Sequence, residues 1–332
     1  MLTRRKLRAT SWLVCSFVIA GLTGLLSACS TAGTSALGTS RSIQVVAAEN
    51  FWGSIASQLG GSKVHVTSII NNPDADPHDY EPTAADGRTI AAADFVLING
   101  IGYDTWATNL VDANPSSRRV VLDGGLLLGV APGGNPHRWY NPADVQKVVD
   151  QIVTDYQKID PADSAYFDAQ KTAFETTATA DYKSVIADIK AKYAGTPVGA
   201  SESIFAMIAP ALGLDLLTPP DFLKAISEGT DPTAMDKATV DAQIKDHLIK
   251  VYVYNSQNAT PDIQVQIAEA HAAGISVTTI TETMVPATAS WQQWQTAQLV
   301  ALRDALARAT ATRSHRVSPP PAWPFPRNTR AY

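Results

Sequence analysis

DSAYFDAQKTAFETTATADYKSVIADIKAKY, residues 163–193, holds neither proline nor glycine. Its apolar residues Phe167, Phe174, Ala178, Tyr182, Ile186, Ile189 and Tyr193 recur near a 3.6-residue period. Proline and glycine are common sources of a sharp kink. The stretch therefore predicts one long helix, Asp163 to Tyr193, rather than two with a bend. At 1.5 Å per residue it would run roughly 45 Å, longer than one small domain is wide. A helix of that length divides the chain into a part before it and a part after it.

Both parts alternate short β-branched runs with helical stretches, the pattern of parallel strands with crossover helices. Before the helix, strands are expected at 43–48, 64–70, 94–99 and 120–122, with helices at 50–59, from Thr83, and at 142–156. After it, extended runs are expected at 198–200, 249–254 and 276–280, with helices at 203–212, 232–247, 261–273 and 289–309. About 270 residues lie between the two tails, enough for two domains with separate cores. The expected spans are 42–160 for the first lobe, 161–195 for the linking helix and 196–312 for the second lobe.

The ends read differently. Arg4, Arg5, Lys6 and Arg8 precede an apolar run from Ser11 to Leu26, and Leu26-Ser27-Ala28-Cys29 follows. This reads as a signal segment over 1–28, with Cys29 the lipidated first residue of the mature chain. Residues 29–41 form a Ser/Thr/Gly-rich tether. Residues 313–332 are rich in Pro and Arg, without an amphipathic period, and read as disordered. The chain has 2 cysteines, and Cys15 lies within the signal segment. A disulfide within the mature chain and a thiolate metal site are thereby excluded. Without 1–28 the chain carries 22 basic and 31 acidic side chains, net −9. That balance argues against nucleic acid as a partner.

Two histidines sit in proline-framed loops, Asp76-Pro77-His78-Asp79-Tyr80-Glu81-Pro82 and Asn135-Pro136-His137-Arg138-Trp139-Tyr140-Asn141-Pro142. Proline stiffens each loop, which suits an imidazole that must point at a metal, a proton or a carboxylate. In open α/β sheets, ligands bind beyond the carboxyl ends of the strands. His78 follows the strand ending near Ile70, and His137 the one ending near Leu122. Glu202 follows the run 198–201, and Glu282 the strand 276–280. Two imidazoles and two carboxylates suit a borderline divalent ion such as Mn²⁺ or Zn²⁺. The two carboxylates would neutralise it. Each residue also has a plainer reading. Glu202 is placed to favour a helix dipole without any metal, and His78 to bond Asp76 or Asp79. Asp76, Asp79 and Glu81 are alternative oxygen ligands, or partners that fix an imidazole tautomer. His65, His247 and His271 read as structural.

These motifs resemble the metal-binding lipoproteins of ABC importers, the cluster A-I solute-binding proteins for manganese, zinc or iron. The family's first loop reads like Asp76 to Pro82. Its second, His-x-Trp with a proline soon after, matches His137-Arg138-Trp139 and Pro142. Its third site matches Glu202 in Ser201-Glu202-Ser203-Ile204-Phe205, and its fourth, usually Asp, matches Glu282 in Thr281-Glu282-Thr283. The resemblance covers about residues 42–310. It implies an α/β fold of two lobes, each a mostly parallel sheet flanked by helices, joined by one long rigid α-helix. It implies His78, His137, Glu202 and Glu282 as metal ligands. Asn135 and Asn141 stand where family members often carry Asp, which would soften hydrogen bonding around the ligands.

The implied function is capture of one divalent transition-metal ion and its delivery to an ABC permease. The protein would be a monomer, anchored outside the cell membrane by Cys29, with no catalysis. With Glu rather than His at position 202 the site leans toward Mn²⁺, the harder ion, over Zn²⁺. Two other readings compete. A secreted metallohydrolase would need an open coordination position, and the chain lacks His-Glu-x-x-His and Gly-x-Ser-x-Gly. An adhesin or a binding module for another solute would use Phe51, Trp52, Tyr80, Trp139 and Tyr140 to stack on an organic ligand. The alternative role of those rings is to wall off the metal from water.

Overall fold

The computed structural model describes residues 41–73 and 80–311. The signal segment, Cys29, most of the tether and the 313–332 tail lie outside the described residues. So do Asp76, His78 and Asp79.

The first half runs β1 (Ile43–Glu49), α1 (Asn50–Gly60), β2 (Val64–Ile70), α2 (Ala84–Ala92), β3 (Phe95–Ile98), α3 (Thr105–Ala113), β4 (Val120–Asp123), α4 (Gly124–Leu128) and α5 (Pro142–Ile159). Then come α6 (Ser164–Ala173) and α7 (Ala180–Tyr193). The second half runs β5 (Pro197–Ala200), α8 (Ser203–Leu212), β6 (Asp215–Leu216), α9 (Pro220–Ser227), α10 (Ala234–Lys245), β7 (Val251–Asn255), α11 (Pro261–Ala272), β8 (Ser276–Ile280) and α12 (Trp291–Ala311).

Each half holds a four-stranded, all-parallel sheet, ordered β2-β1-β3-β4 in the first and β6-β5-β7-β8 in the second. The same neighbour order thus occurs twice. In both, the first strand of the half is central and the chain leaves it toward one side, then returns to the other. This makes a topological switch point between β1 and β3 and another between β5 and β7, the crevice where such sheets bind ligands. Continuous apolar strands such as Phe95–Ile98, buried at every residue, fit a sheet covered on both faces. The likeness to the expected α/β architecture of two parallel-sheet lobes is complete at this level.

The long helix between the halves is present with a difference. A single 3₁₀ turn at Pro161–Asp163 leads into α6, a five-residue π-helical turn at Phe174–Ala178 follows, and α7 completes the run. No proline or glycine announces the wide turn. The Thr179 hydroxyl reaches the carbonyls of Phe174 and Glu175, each at 3.0 Å, and takes up acceptors that the wide turn leaves over.

The sheets also share a core instead of having one each. One apolar cluster runs from Ile43, Phe51 and Phe95 in the first half, through Tyr182 and Ile189 of α7, to Phe205, Trp291 and Leu306. Two smaller clusters fill the outer faces, one around Val46, Val96 and Trp106, the other around Phe222, Tyr252 and Ile263. The physical reason is α12. Its Trp291 backbone nitrogen donates to the Ser54 hydroxyl of α1 at 2.9 Å, and its ring nitrogen donates to the Trp139 carbonyl at 3.2 Å. A helix that buries aromatic faces against both halves leaves no boundary for two cores. Among the described residues no helix is long and apolar enough to cross a membrane.

Candidate metal centre

The His137 loop is fixed from both sides. Pro136 precedes it, and one 3₁₀ turn, Arg138–Tyr140, follows. Asn141 then caps α5, its side-chain oxygen accepting from the backbone of Ala143 and Asp144 at 2.9 and 3.2 Å, with Pro142 at the first helical position. Asn141, expected to bear on the hydrogen bonds around the ligands, instead uses its side chain to cap a helix. Asn135 does touch the imidazole. Its Oδ1 lies 2.9 Å from Nδ1 of His137, and its Nδ2 donates to the Ser203 carbonyl at 2.7 Å. The Ser203 hydroxyl is a second neighbour of Nδ1, at 3.3 Å. Nε2 has no hydrogen-bond partner. The ring is wholly buried, and burial pushes its pKa down to about 4, outweighing the pull of Glu202. His137 is a neutral imidazole with a bare lone pair.

Glu202 stands at the N-cap position of α8, yet its side chain does not cap the helix. It accepts instead from Asn255 Nδ2 at 2.7 Å and from the Ser227 hydroxyl at 3.3 Å. Burial, followed by the charge of Glu282, pushes its pKa up to about 7. Glu282 follows β8. Its Oε1 accepts from the Tyr103 hydroxyl at 2.9 Å and lies 3.5 Å from Nε2 of His137. One donor atom from each of His137, Glu202 and Glu282 can be chosen so that all three lie within 4.8 Å of one another, and all three residues are buried. One neutral imidazole nitrogen and two carboxylates fit a borderline dication. Burying two like charges at this distance is costly unless a cation joins them.

The structure thus brings together three of the four expected ligands, while His78 lies outside the described residues. Glu81 is exposed and stands apart from this cluster. Trp139 is fully buried, edge-on to the His137 ring at 5.3 Å and stacked on Phe51 at 3.8 Å. Phe51, Trp52 and Tyr140 are buried as well, and Tyr80 packs on Trp106 at 4.8 Å. Of all these rings, Trp139 and Tyr103 lie against the imidazole, edge-on at 5.3 and 6.2 Å, while Tyr80 and Trp106 belong to an outer cluster. A cleft of about 800 Å³ borders the cluster, with Tyr103, Asn135, Ser203, Gln257 and Glu282 among its lining residues.

Sequence reasoning missed a group behind this site. Glu49 ends β1 and is fully buried; burial first, and then the Asp104 charge, push its pKa well up. Asp104 accepts from the backbone nitrogens of Asn99 and Gly100 at 2.6 and 2.8 Å. Burial raises it to about 6 despite those two amides. The turn that carries Tyr103 and Asp104 includes Ile101 at φ 63°. A β-branched residue in the left-handed region is strained, at a cost of about 1–3 kcal/mol. In the same turn, a Cβ at Gly100 would meet the Asp123 carboxylate. A signal existed: Glu49 and Asn255 are the last residues of β1 and β7, at the carboxyl ends of strands where ligands are expected.

Comparison with known proteins places these features. The family model described as zinc-uptake complex component A, periplasmic (ZnuA), matches residues 45–305. The manganese-binding lipoprotein MntA of Halalkalibacterium halodurans is 29% identical over 164 residues, covering 48% of this chain and 54% of its own. The manganese ABC transporter substrate-binding lipoprotein PsaA of Streptococcus pneumoniae is 33% identical over 141 residues, covering 39% and 44%. The high-affinity zinc uptake system protein ZnuA of Bacillus subtilis is 22% identical over 265 residues, covering 72% and 79%. The chain spans about half the length of several of the curated relatives it matches. Among solved structures, the periplasmic metal-binding protein of Candidatus Liberibacter asiaticus superposes with a TM-score of 0.66 at 16% identity, covering 80% of this chain and 99% of its own. That likeness is one of fold.

Proposed function

The chain belongs to the family of the zinc-uptake complex component A, the metal-binding substrate-binding proteins of ABC importers, and we propose that it captures one divalent transition-metal ion outside the cytoplasm and hands it to a membrane permease. The observation that carries this reading is the buried cluster of His137, Glu202 and Glu282, with an unpartnered imidazole nitrogen facing two carboxylates. In this reading His78 supplies the fourth donor and Cys29 carries a lipid anchor. Manganese-binding and zinc-uptake proteins both occur among the relatives. Two carboxylates lean toward Mn²⁺, the harder ion, while Zn²⁺ also suits the set.

The ion is cargo, and no chemical step is assigned to it. The chain's own part is to hold Nδ1 of His137 protonated, to orient both carboxylates through Asn255, Ser227 and Tyr103, and to keep water from the imidazole with Trp139 and Phe51. The cleft beside Glu282 gives an ion a way in. An organic solute would need exposed aromatic faces; Phe51, Trp52, Trp139 and Tyr140 are buried, and Tyr80, half-buried, packs on Trp106.

Calorimetric titration of chelator-stripped protein with Mn²⁺ and with Zn²⁺ tests the proposal. One ion per chain is expected. Absence of binding for both ions would remove the reading.

A further inference from the structure

Gln257 is an exposed residue of the turn between β7 and α11, yet its carboxamide is fully engaged. The oxygen accepts from the backbone nitrogens of Glu282 and Thr283, at 2.7 and 2.9 Å. The nitrogen donates to the Pro73 carbonyl and to the Thr283 hydroxyl, both at 2.7 Å. The Thr283 hydroxyl in turn reaches the Pro73 carbonyl at 3.3 Å. The backbone nitrogen of Gln257 donates to Asn255 Oδ1 at 2.9 Å, and Asn255 Nδ2 holds Glu202 at 2.7 Å. An exposed glutamine loses rotamer freedom when held in this way. Three segments meet on this one turn. They are the backbone of Glu282, the side chain of Glu202, and Pro73, which directly precedes segment 74–79.

We infer that Gln257 is a positioning residue for metal retention: its oxygen fixes the backbone of Glu282 while its nitrogen ties that turn to Pro73 in the other half. The inference rests on the proposed metal-binding function. It adds a residue that touches no ion and acts through the ligand-bearing segments. The two ends of the carboxamide have separable jobs. Glutamate at 257 keeps acceptors for the two amides and loses the donor to Pro73. Alanine loses both.

The test uses the full chain and its Gln257→Ala and Gln257→Glu variants. Hydrogen exchange at the amides of residues 282 and 283 is read in metal-free protein. Release of Mn²⁺ and Zn²⁺ into a competing chelator is read in loaded protein. Gln257→Ala is expected to speed both exchange and release roughly tenfold, the scale of one or two lost hydrogen bonds. Gln257→Glu is expected to keep the amides protected and still release metal faster. Both variants are expected to melt within a few degrees of wild type, the scale of one or two lost hydrogen bonds. If wild type holds metal and Gln257→Ala releases it at the same rate, the positioning role falls and the transport reading stands. If wild type binds neither ion, the transport reading falls and takes this one with it.

Discussion

Oδ1 of Asn135 lies 2.9 Å from Nδ1 of His137, and the amide of Asn135 is oriented by its own donation to the Ser203 carbonyl. A carboxamide oxygen can only accept, so Nδ1 carries the proton and Nε2 carries the lone pair. The tautomer is thus set before any ion arrives. Asn135→Ala is expected to weaken metal affinity roughly 10- to 100-fold, the usual effect of losing a group that orients a ligating histidine. Titration of the metal-free variant checks this. Unchanged affinity would mean that packing against Trp139 alone orients the ring.

Metal loading should stabilise the fold by mass action. An ion at 100 times its dissociation constant contributes about 2.7 kcal/mol, and a domain of this size gains about 2–4 °C per kcal/mol. A rise in melting temperature of about 5–10 °C is expected on adding Mn²⁺ or Zn²⁺ to stripped protein. His137→Ala should abolish most of it. Scanning calorimetry with and without chelator is the measurement.

Acid should act in opposite senses on the empty and loaded protein. Glu202 is raised from 4.5 to about 7 and Asp104 from 3.8 to about 6 in the folded state. Their stabilising contribution is complete below the unfolded values, and is lost as pH rises through about 6 to 7. His137 is lowered from 6.5 to about 4, so its contribution is present above 6.5 and is lost as pH falls toward 4. Two carboxyls outweigh one imidazole. The metal-free protein should therefore melt lower at pH 7 than at pH 5. Metal must displace the Glu202 proton, so affinity should fall about tenfold for each unit below pH 7. Melting curves across this range, with chelator and with metal, would show the slopes crossing. Parallel slopes would contradict the account.

Trp291 is buried among Phe174, Tyr182 and the Trp139 carbonyl. Trp291→Ala is expected to cost about 3–5 kcal/mol, in the range for a buried aromatic. Because both halves share the core, denaturant unfolding should stay a single transition in wild type. Two separate transitions would argue for independent cores.

Much of this architecture was legible in the residues. Val64–Ile70, Ser203–Leu212 and Ser276–Ile280 were readable at both ends, because β-branched runs and flanking turn residues mark them sharply. Helix α9 was not, since Pro219-Pro220 reads as a break although Pro220 opens the helix at its first position. The π-helical turn holds neither proline nor glycine, so nothing in its residues marks it. Glu282 and Glu202 were visible as acids after strands. Glu49 obeys the same rule, but it is the direct join between β1 and α1, with no loop to mark it. The bonds made by Gln257 depend on which loops meet in space, and no local pattern encodes that.

The repeated strand order has a consequence for the acids. Glu49 is the N-cap residue of α1 after β1, and Glu202 is the N-cap residue of α8 after β5. Neither side chain caps its helix. The same corner of the same frame therefore holds a glutamate twice. One copy is fully buried beside Asp104, and the other lies with the imidazole. The cage comes from how two like frames face each other, more than from either frame. Severed from its neighbour, each half would offer an ion an incomplete set of donors.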